Sequence, residues 1–94
     1  MKILGFGPSR MRSRRADAVI TGAGSGIGEA FAIELARREG RVLCSDIDIE
    51  AARATADAIT SAGGQSRALR CDVADVEDVG RLADDAQAWF AGPP

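Results

Sequence analysis

Short apolar runs alternate with longer amphipathic stretches along residues 16–94. Residues 18–21 and 41–45 are nearly continuous in apolar side chains, and a weaker run covers residues 68–71. Continuous apolar runs of this length are typical of strands that are covered on both faces. The pattern therefore predicts three strands, the first from about residue 16 to residue 21.

The stretch after the first run has the spacing of an amphipathic helix. Ile27, Phe31 and Leu35 recur every fourth residue, and Gly40 follows as a stop signal. We expect these three side chains to face the core.

Two further helices follow the second and third runs. The second is predicted over about residues 49–62, with Asp48 as N-cap, and the third begins after Asp75, its N-cap. The third carries a predicted apolar stripe of Val76, Val79, Leu82, Ala86 and Trp89 or Phe90.

Three repeats of strand and helix predict an α/β fold. We expect a Rossmann-type doubly wound parallel sheet, truncated to about three strands in the order third, second, first, with three helices. Right-handed crossovers would place the first two helices on one face and the third on the other. Residues 16–94 would form this partial nucleotide-binding domain. Residues 1–15, interrupted by Gly5, Gly7 and Pro8, are expected to be a disordered basic leader, and Met11 is an alternative start.

Charge is divided unevenly along the 94 residues. The leader carries five basic residues and no acid, so of the overall charge of −2 it holds +5 and leaves −7 for residues 16–94. An acidic folded part argues against nucleic acid as a partner. No apolar run is long enough to cross a membrane. With no histidine and only Cys44 and Cys71, no metal site is expected, and buried reduced thiols indicate a cytoplasmic protein.

Four glycines lie between the first strand and the first helix, at positions 22, 24, 26 and 28. A loop that joins a strand to a helix presents free N–H groups and the positive end of the helix dipole, so it favours an anion such as phosphate. The spacing GxGxxG fails in every register, and the Gly-Lys-Ser/Thr of P-loop proteins is absent. The spacing that fits is TGxxxGxG, from Thr21 to Gly28.

With this loop, and with Asp46-Ile47 and Asp72-Val73 after the second and third strands, residues 16–94 resemble the short-chain dehydrogenase/reductase family. The resemblance implies that the loop approaches the pyrophosphate of a nicotinamide dinucleotide, with donors from Ser25 and Ile27. It also implies that Ile47 lies against the adenine and that Asp72 and Val73 hold the adenine edge. The cofactor-binding set is then Gly22, Ser25, Gly26, Ile27, Gly28, Asp46, Ile47, Asp72 and Val73.

The position of Asp46 predicts which of the two nicotinamide dinucleotides, NAD or NADP, is preferred. It lies 18 residues after Gly28, near the spacing of about 20 at which a carboxylate accepts hydrogen bonds from the adenosine ribose. A 2′-phosphate would meet like charge there, and no arginine lies in the loop or directly after Asp46, so NAD is expected over NADP. A simple turn carboxylate is the alternative reading of Asp46.

The family's Asn-Asn-Ala-Gly turn, catalytic serine and Tyr-x-x-x-Lys pair have no counterpart here, since the chain has no tyrosine and its one lysine is Lys2. The resemblance therefore implies the NAD(H)-binding N-terminal fragment of an oxidoreductase that moves hydride between nicotinamide and an alcohol or carbonyl. No catalytic residue is assigned, and the full-length form is expected to be a homo-oligomer. The alternative is a non-catalytic nucleotide-binding module or a nonfunctional gene remnant.

Overall fold

The computed structural model describes residues 2–6 and 17–92, which form a four-stranded sheet flanked by helices. The strands are β1 (Lys2–Phe6), β2 (Asp17–Thr21), β3 (Arg41–Asp46) and β4 (Gln65–Arg70). The helices are α1 (Gly26–Arg37), α2 (Ile49–Ser61) and α3 (Val76–Ala91). The order of strands across the sheet is β1-β2-β3-β4.

The three strands β2, β3 and β4 are parallel, and each is joined to the next by a helix. Val19 lies opposite Leu43, and Cys44 lies opposite Ala68. The predicted order of third, second, first strand is confirmed as β4, β3, β2. The predicted N-caps are confirmed as well, since Asp48 accepts from the backbone of α2 and Asp75 from that of α3.

Side chains that alternate along the parallel strands form two apolar cores, one on each face of the sheet. On one face, Ile20, Val42 and Cys44 pack against α1 and α2, and the slim helix side chains include Ala32, Ala52 and Ala56. On the other face, Val19 and Leu43 pack against Leu82 and Ala86 of α3. The third helix therefore covers the face opposite the first two, as predicted from right-handed crossovers.

Helix α1 is rotated relative to the sequence prediction. Its buried residues are Gly28 and Ala32, whereas Ile27 is 74% exposed and Phe31 is 40% exposed. The expected core stripe is therefore wrong at Ile27 and Phe31. The cause is the close approach of α1 to the preceding loop, because a Cβ on Gly28 would overlap the carbonyl oxygen of Gly22. Only the glycine face of the helix fits against that backbone.

The prediction of a disordered leader over residues 1–15 is corrected at Lys2–Phe6. This segment is β1, which pairs antiparallel with β2 in a register that joins Lys2 to Thr21 and Phe6 to Asp17. The pairing has a physical reason, since β2 would otherwise expose a row of backbone N–H and C=O groups along its edge. The rest of the expected leader lies outside the described residues.

The cysteine thiols are buried in the two cores. Cys44 and Cys71 are both free, and burial raises the pKa of each thiol above its ordinary value. The expectation of buried, unpaired thiols is confirmed.

A buried ion pair joins the amino ends of β2 and β3 to the end of α3. Arg41 is 6% exposed, and its Nη2 lies 2.7 Å from Oδ2 of Asp17. The same guanidinium donates to the carbonyl oxygens of Phe90, at 2.9 Å, and Gly92, at 3.1 Å. Its Cζ also lies 5.6 Å from the Phe90 ring centroid. Arg41 therefore supplies donors to carbonyls that the end of a helix leaves without partners.

We expect Arg41→Ala to lower the free energy of unfolding by about 3 kcal/mol or more, because it removes the buried guanidinium that pairs with the Asp17 carboxylate and donates to the helix-end carbonyls. Urea denaturation followed by circular dichroism measures the change. The matched control is Arg53→Ala, which breaks an exposed pair with Glu50 and should cost less than about 1 kcal/mol. Equal costs for the two variants would contradict the assigned role of Arg41.

Candidate functional site

The candidate site lies at the carboxyl ends of β2, β3 and β4, where open α/β sheets bind their ligands. The loop of residues 21–28 leaves β2 and enters α1 there. Gly22 has φ 68° and Gly26 has φ 60°, a backbone region that glycine adopts without steric cost. A Cβ added at Gly26 would meet no atom within 4 Å, so this glycine borders open space.

The loop is anchored to the sheet and to α2 through its third and fourth residues, Ala23 and Gly24. The backbone N–H of Ala23 donates to the carbonyl oxygen of Ser45 at 3.0 Å. The carbonyl oxygen of Ala23 accepts from the buried hydroxyl of Thr55 at 2.9 Å. Gly24 lies so close to α2 that a Cβ there would overlap the Cβ of Ala51. The backbone of the loop is therefore tied to both β3 and α2.

The amino end of α1 differs in its capping from those of α2 and α3. Ser25 is its N-cap residue, but the Ser25 side chain makes no capping hydrogen bond. In contrast, the Asp48 and Asp75 carboxylates cap the other two helices. The first N–H groups of α1 thus receive no capping hydrogen bond from their N-cap side chain, which suits an incoming anion.

Asp46, the last residue of β3, is tied to the glycine loop by its side chain. Its Oδ2 accepts from the backbone N–H of Gly24 at 3.0 Å, and its Oδ1 accepts from the N–H of Asp48 at 3.0 Å. The carboxylate is only partly exposed. Each oxygen keeps lone pairs beyond these bonds, since an ionised carboxylate has about four acceptor sites. Asp46 can therefore accept hydroxyl donors while it holds the loop.

Two of the sequence-predicted residues are apolar side chains exposed at this end of the sheet. Ile47 is 56% exposed and Val73 is 60% exposed. Asp72 precedes Val73, and its Oδ1 accepts from the N–H of Ala74 at 2.9 Å. The N–H of Cys71 donates to the carbonyl oxygen of Asp46 at 3.1 Å, which joins the end of β4 to the end of β3.

The nine predicted site residues are thus placed at one end of the sheet, on the glycine loop and on the segments that follow β3 and β4. Sequence reasoning missed Gly24 and Thr55. Gly24 donates its backbone N–H to the Asp46 carboxylate, and Thr55 donates its hydroxyl to the Ala23 carbonyl oxygen. Thr55 interrupts the alanine-rich stripe of α2, and a polar residue at a buried helix position was the available signal. Gly24 occupies a variable position of the TGxxxGxG motif, so the motif did not single it out.

Two structural features are absent from the described ranges, 2–6 and 17–92: a membrane-spanning helix and a cluster of metal ligands. No helix there combines the length and apolar character needed to cross a bilayer. Those residues also contain no group of three or more His, Cys, Asp or Glu side chains placed to hold a metal ion.

The parallel sheet, its glycine loop and the acidic residue at the end of β3 define a dinucleotide-binding type of α/β domain. The family model described as short chain dehydrogenase matches residues 16–92. The chain belongs to the short-chain dehydrogenase/reductase family, as its glycine spacing indicated.

Curated relatives carry names of dehydrogenases. The chain is 41% identical over 81 residues to 7α-hydroxysteroid dehydrogenase of Escherichia coli K12, covering 86% of this chain and 32% of the relative. It is 38% identical over 93 residues to (3R)-3-hydroxyacyl-CoA dehydrogenase of Mus musculus, covering 92% and 36%. The chain therefore spans about a third of the length of these relatives.

Solved structures show the same fold with nicotinamide dinucleotides bound. A 7α-hydroxysteroid dehydrogenase complexed with NADH and 7-oxo glycochenodeoxycholic acid is similar with a TM-score of 0.73 and 43% identity, over 74% of this chain and 28% of that one. A metagenomic short-chain oxidoreductase in complex with NADP is similar with a TM-score of 0.71 and 34% identity, over 74% and 32%. Relatives of this chain thus bind a nicotinamide cofactor.

We expect Gly28→Ala to lower the free energy of unfolding by about 1–3 kcal/mol, because the new methyl group overlaps the Gly22 carbonyl and forces the loop from α1. Thermal or urea denaturation measures the loss, and amide hydrogen exchange locates it at the loop.

The matched control is Gly80→Ala in α3, where an added Cβ meets no atom within 4 Å. This variant should raise stability by about 0.5–1 kcal/mol through helix propensity. If Gly28→Ala were as stable as Gly80→Ala, the close approach would not govern the loop.

Proposed function

We propose that residues 16–94 bind the adenosine and diphosphate part of NAD(H) in a short-chain dehydrogenase, an oxidoreductase that moves hydride between nicotinamide and an alcohol or carbonyl. The observation that carries the proposal is the Asp46 carboxylate, which is fixed to the glycine loop through Gly24 at 3.0 Å. This arrangement joins an anion-binding loop rigidly to Asp46, the hydrogen-bond acceptor for the ribose. Family membership and the NADH-bound relative support it.

The glycine loop fits the diphosphate. Gly26 borders open space, and the N–H groups at the start of α1 have no side-chain cap. Backbone donors and the positive end of the helix dipole then converge on the negative oxygens. In this proposal Gly22 and Gly28 permit the close backbone approach, while Ser25 and Ile27 line the same seat.

The surroundings of Asp46 fit an adenosine. The carboxylate accepts from the ribose hydroxyls, and Ile47 lies against one face of the adenine ring. Val73, which like Ile47 is more than half exposed, lies at the adenine edge with Asp72. Burying Ile47 and Val73 against a base would remove apolar surface from water at about 25 cal/mol per Å².

NAD is the proposed cofactor in preference to NADP. A 2′-phosphate on the ribose would meet the Asp46 carboxylate, a like-charge contact that costs affinity. Since relatives bind either NADH or NADP, the choice rests on this chain's own carboxylate.

The assigned residues bind and orient, and none of them moves a proton or hydride. When bound, the dinucleotide supplies the hydride donor or acceptor at its nicotinamide. The proposal makes the complete enzyme a homo-oligomer in the cytoplasm, consistent with unpaired buried thiols, and assigns it neither a nucleic-acid nor a membrane partner.

One observation favours a second candidate, a non-catalytic nucleotide-binding module. β1 occupies the edge of β2, at which a doubly wound sheet with this strand order adds its fourth parallel strand. The edge of β2 is then already paired within the chain. Dinucleotide binding by the chain without hydride transfer would distinguish this candidate from the enzyme.

We expect Asp46→Asn to reduce the preference of the 94-residue chain for NAD over NADP by about 10-fold or more, because it removes the charge that repels a 2′-phosphate. The amide oxygen can still accept from Gly24, so the loop keeps its anchor. Isothermal titration with NAD, NADP and ADP-ribose measures the three affinities.

The matched control for this substitution is Asp48→Asn, which removes the same charge two residues away and keeps a good helix N-cap. Its NAD to NADP ratio should stay near that of the wild type. An unchanged ratio in Asp46→Asn, or no NAD binding by the wild-type chain, would refute the proposed function.

A further inference from the structure

A carboxylate from α3 holds the segment that follows β4. The backbone N–H of Asp72 donates to Oδ2 of Asp78 at 3.1 Å, six residues further along the chain. Asp78 is the third residue of α3, and its side chain is only 12% exposed. The residue that follows Cys71 is therefore bonded directly to the start of the next helix.

This bond differs from ordinary helix capping. In a capping box, the side chain at the third helical position accepts from the backbone N–H of the N-cap residue. Here the N–H of the N-cap, Asp75, donates to the carbonyl oxygen of Asp72 at 2.9 Å. The Asp78 carboxylate accepts from a residue three positions before the N-cap instead, so it fixes the turn of residues 72–75 as well as the helix.

The turn and the helix together give Asp72 a defined orientation. Oδ1 of Asp72 accepts from the N–H of Ala74 at 2.9 Å within the turn. The bond to Asp78 ties the first residue of the turn to α3, and α3 packs on the sheet through Leu82 and Ala86. The Asp72 carboxylate is thus positioned relative to the sheet, and it keeps acceptor sites beyond its bond to Ala74.

Two arginines surround the Asp78 carboxylate. Nη1 of Arg70 lies 3.7 Å from its Oδ2, and Nη2 of Arg81 pairs with its Oδ1. Both arginine side chains are more than half exposed, and exposed pairs of this kind add little to stability. Their positive charge offsets the negative charge that Asp78 brings close to Asp72.

From this arrangement we infer that Asp78 is a positioning residue for the adenine subsite, which we define as Asp72 and Val73. By accepting from the N–H of Asp72, it orients both residues toward the edge of the base and thereby sets the selectivity for adenine. The inference rests on the proposed function, which places these two residues at the adenine edge. Asp78 acts on the base through Asp72.

The chemistry of the purine edge makes this orientation measurable. Adenine carries an amino group at C6, which donates hydrogen bonds, whereas hypoxanthine carries an oxygen there, which accepts them. An ionised carboxylate only accepts, so an oriented Asp72 favours adenine and repels hypoxanthine. ADP and inosine diphosphate have the same ribose and diphosphate, so the ratio of their affinities reports on the base edge alone.

The test measures the affinities of the 94-residue chain for ADP and for inosine diphosphate by isothermal titration. Wild type should bind ADP about 10-fold more tightly. We expect Asp78→Ala to lower this ratio by about 3-fold or more, because the freed turn no longer holds the carboxylate toward the base. A merely structural role would weaken both ligands equally and leave the ratio unchanged.

Two control variants separate the hydrogen bond from the charge. Asp78→Asn keeps an acceptor for the N–H of Asp72 and should keep the wild-type ratio. Arg81→Ala removes one ion pair of Asp78 but leaves its bond to Asp72, and it should keep the ratio too. Circular dichroism checks the fold of each variant. Where Asp78→Ala does not fold, Asp78→Ser is measured under the same prediction, because its hydroxyl ends one atom short of the carboxylate oxygens.

An unchanged ratio in folded Asp78→Ala or Asp78→Ser would overturn the inference and leave the proposed function intact. A fall of the same size in Asp78→Asn or Arg81→Ala would also overturn it, since charge and not the bond to Asp72 would then govern the ratio. Equal binding of the two diphosphates by wild type would overturn it as well. Wild type that binds neither NAD nor ADP would refute the proposed function itself.

Discussion

The structure depends on the backbone contact between the glycine loop and the start of α1. Because Gly28 has no Cβ, its Cα can face the carbonyl oxygen of Gly22, and this contact sets both the position and the rotation of α1. The loop is then held from the sheet by Ser45 and from α2 by Thr55. Asp46 completes the arrangement by accepting from Gly24. One steric constraint thus fixes the positions of the proposed anion-binding loop, of helix α1 and of the Asp46 carboxylate beside them.

That constraint explains which parts of the fold can be predicted from the sequence. Strands β2 and β3 and helix α2 follow from apolar periodicity, because their apolar side chains are buried where the pattern puts them. The pattern is weaker elsewhere, since β4 has no fully buried residue and Val76, the first residue of the predicted α3 stripe, is 84% exposed. Helix α1 breaks the rule. Its largest apolar side chains, Ile27 and Phe31, are exposed, because a backbone contact between glycines outweighs the burial of side chains at this position. Periodicity reports which residues are apolar, and it does not report how closely two backbones approach.

The candidate site was predictable to a different degree. Asp46 was identified from its spacing after Gly28 and its position at the end of a strand, whereas Asp72 was identified through the family resemblance. The anchors Gly24 and Thr55 act through long-range hydrogen bonds to residues 22 and 32 positions away, which no local pattern encodes. β1 was missed for the same reason, since five residues broken by glycine read as leader until a partner edge is known.

The free edge of β2 is covered by β1, and the direction of β1 matters for the site. A parallel β2 with a bare edge would present unpaired backbone groups and invite association with other chains. β1 satisfies that edge in the antiparallel direction, which reverses the strand so that its first residue, and not its last, reaches the ligand end. A parallel strand at the same edge would present its carboxyl end there. Strand direction therefore decides which end of the neighbouring segment lies beside the glycine loop.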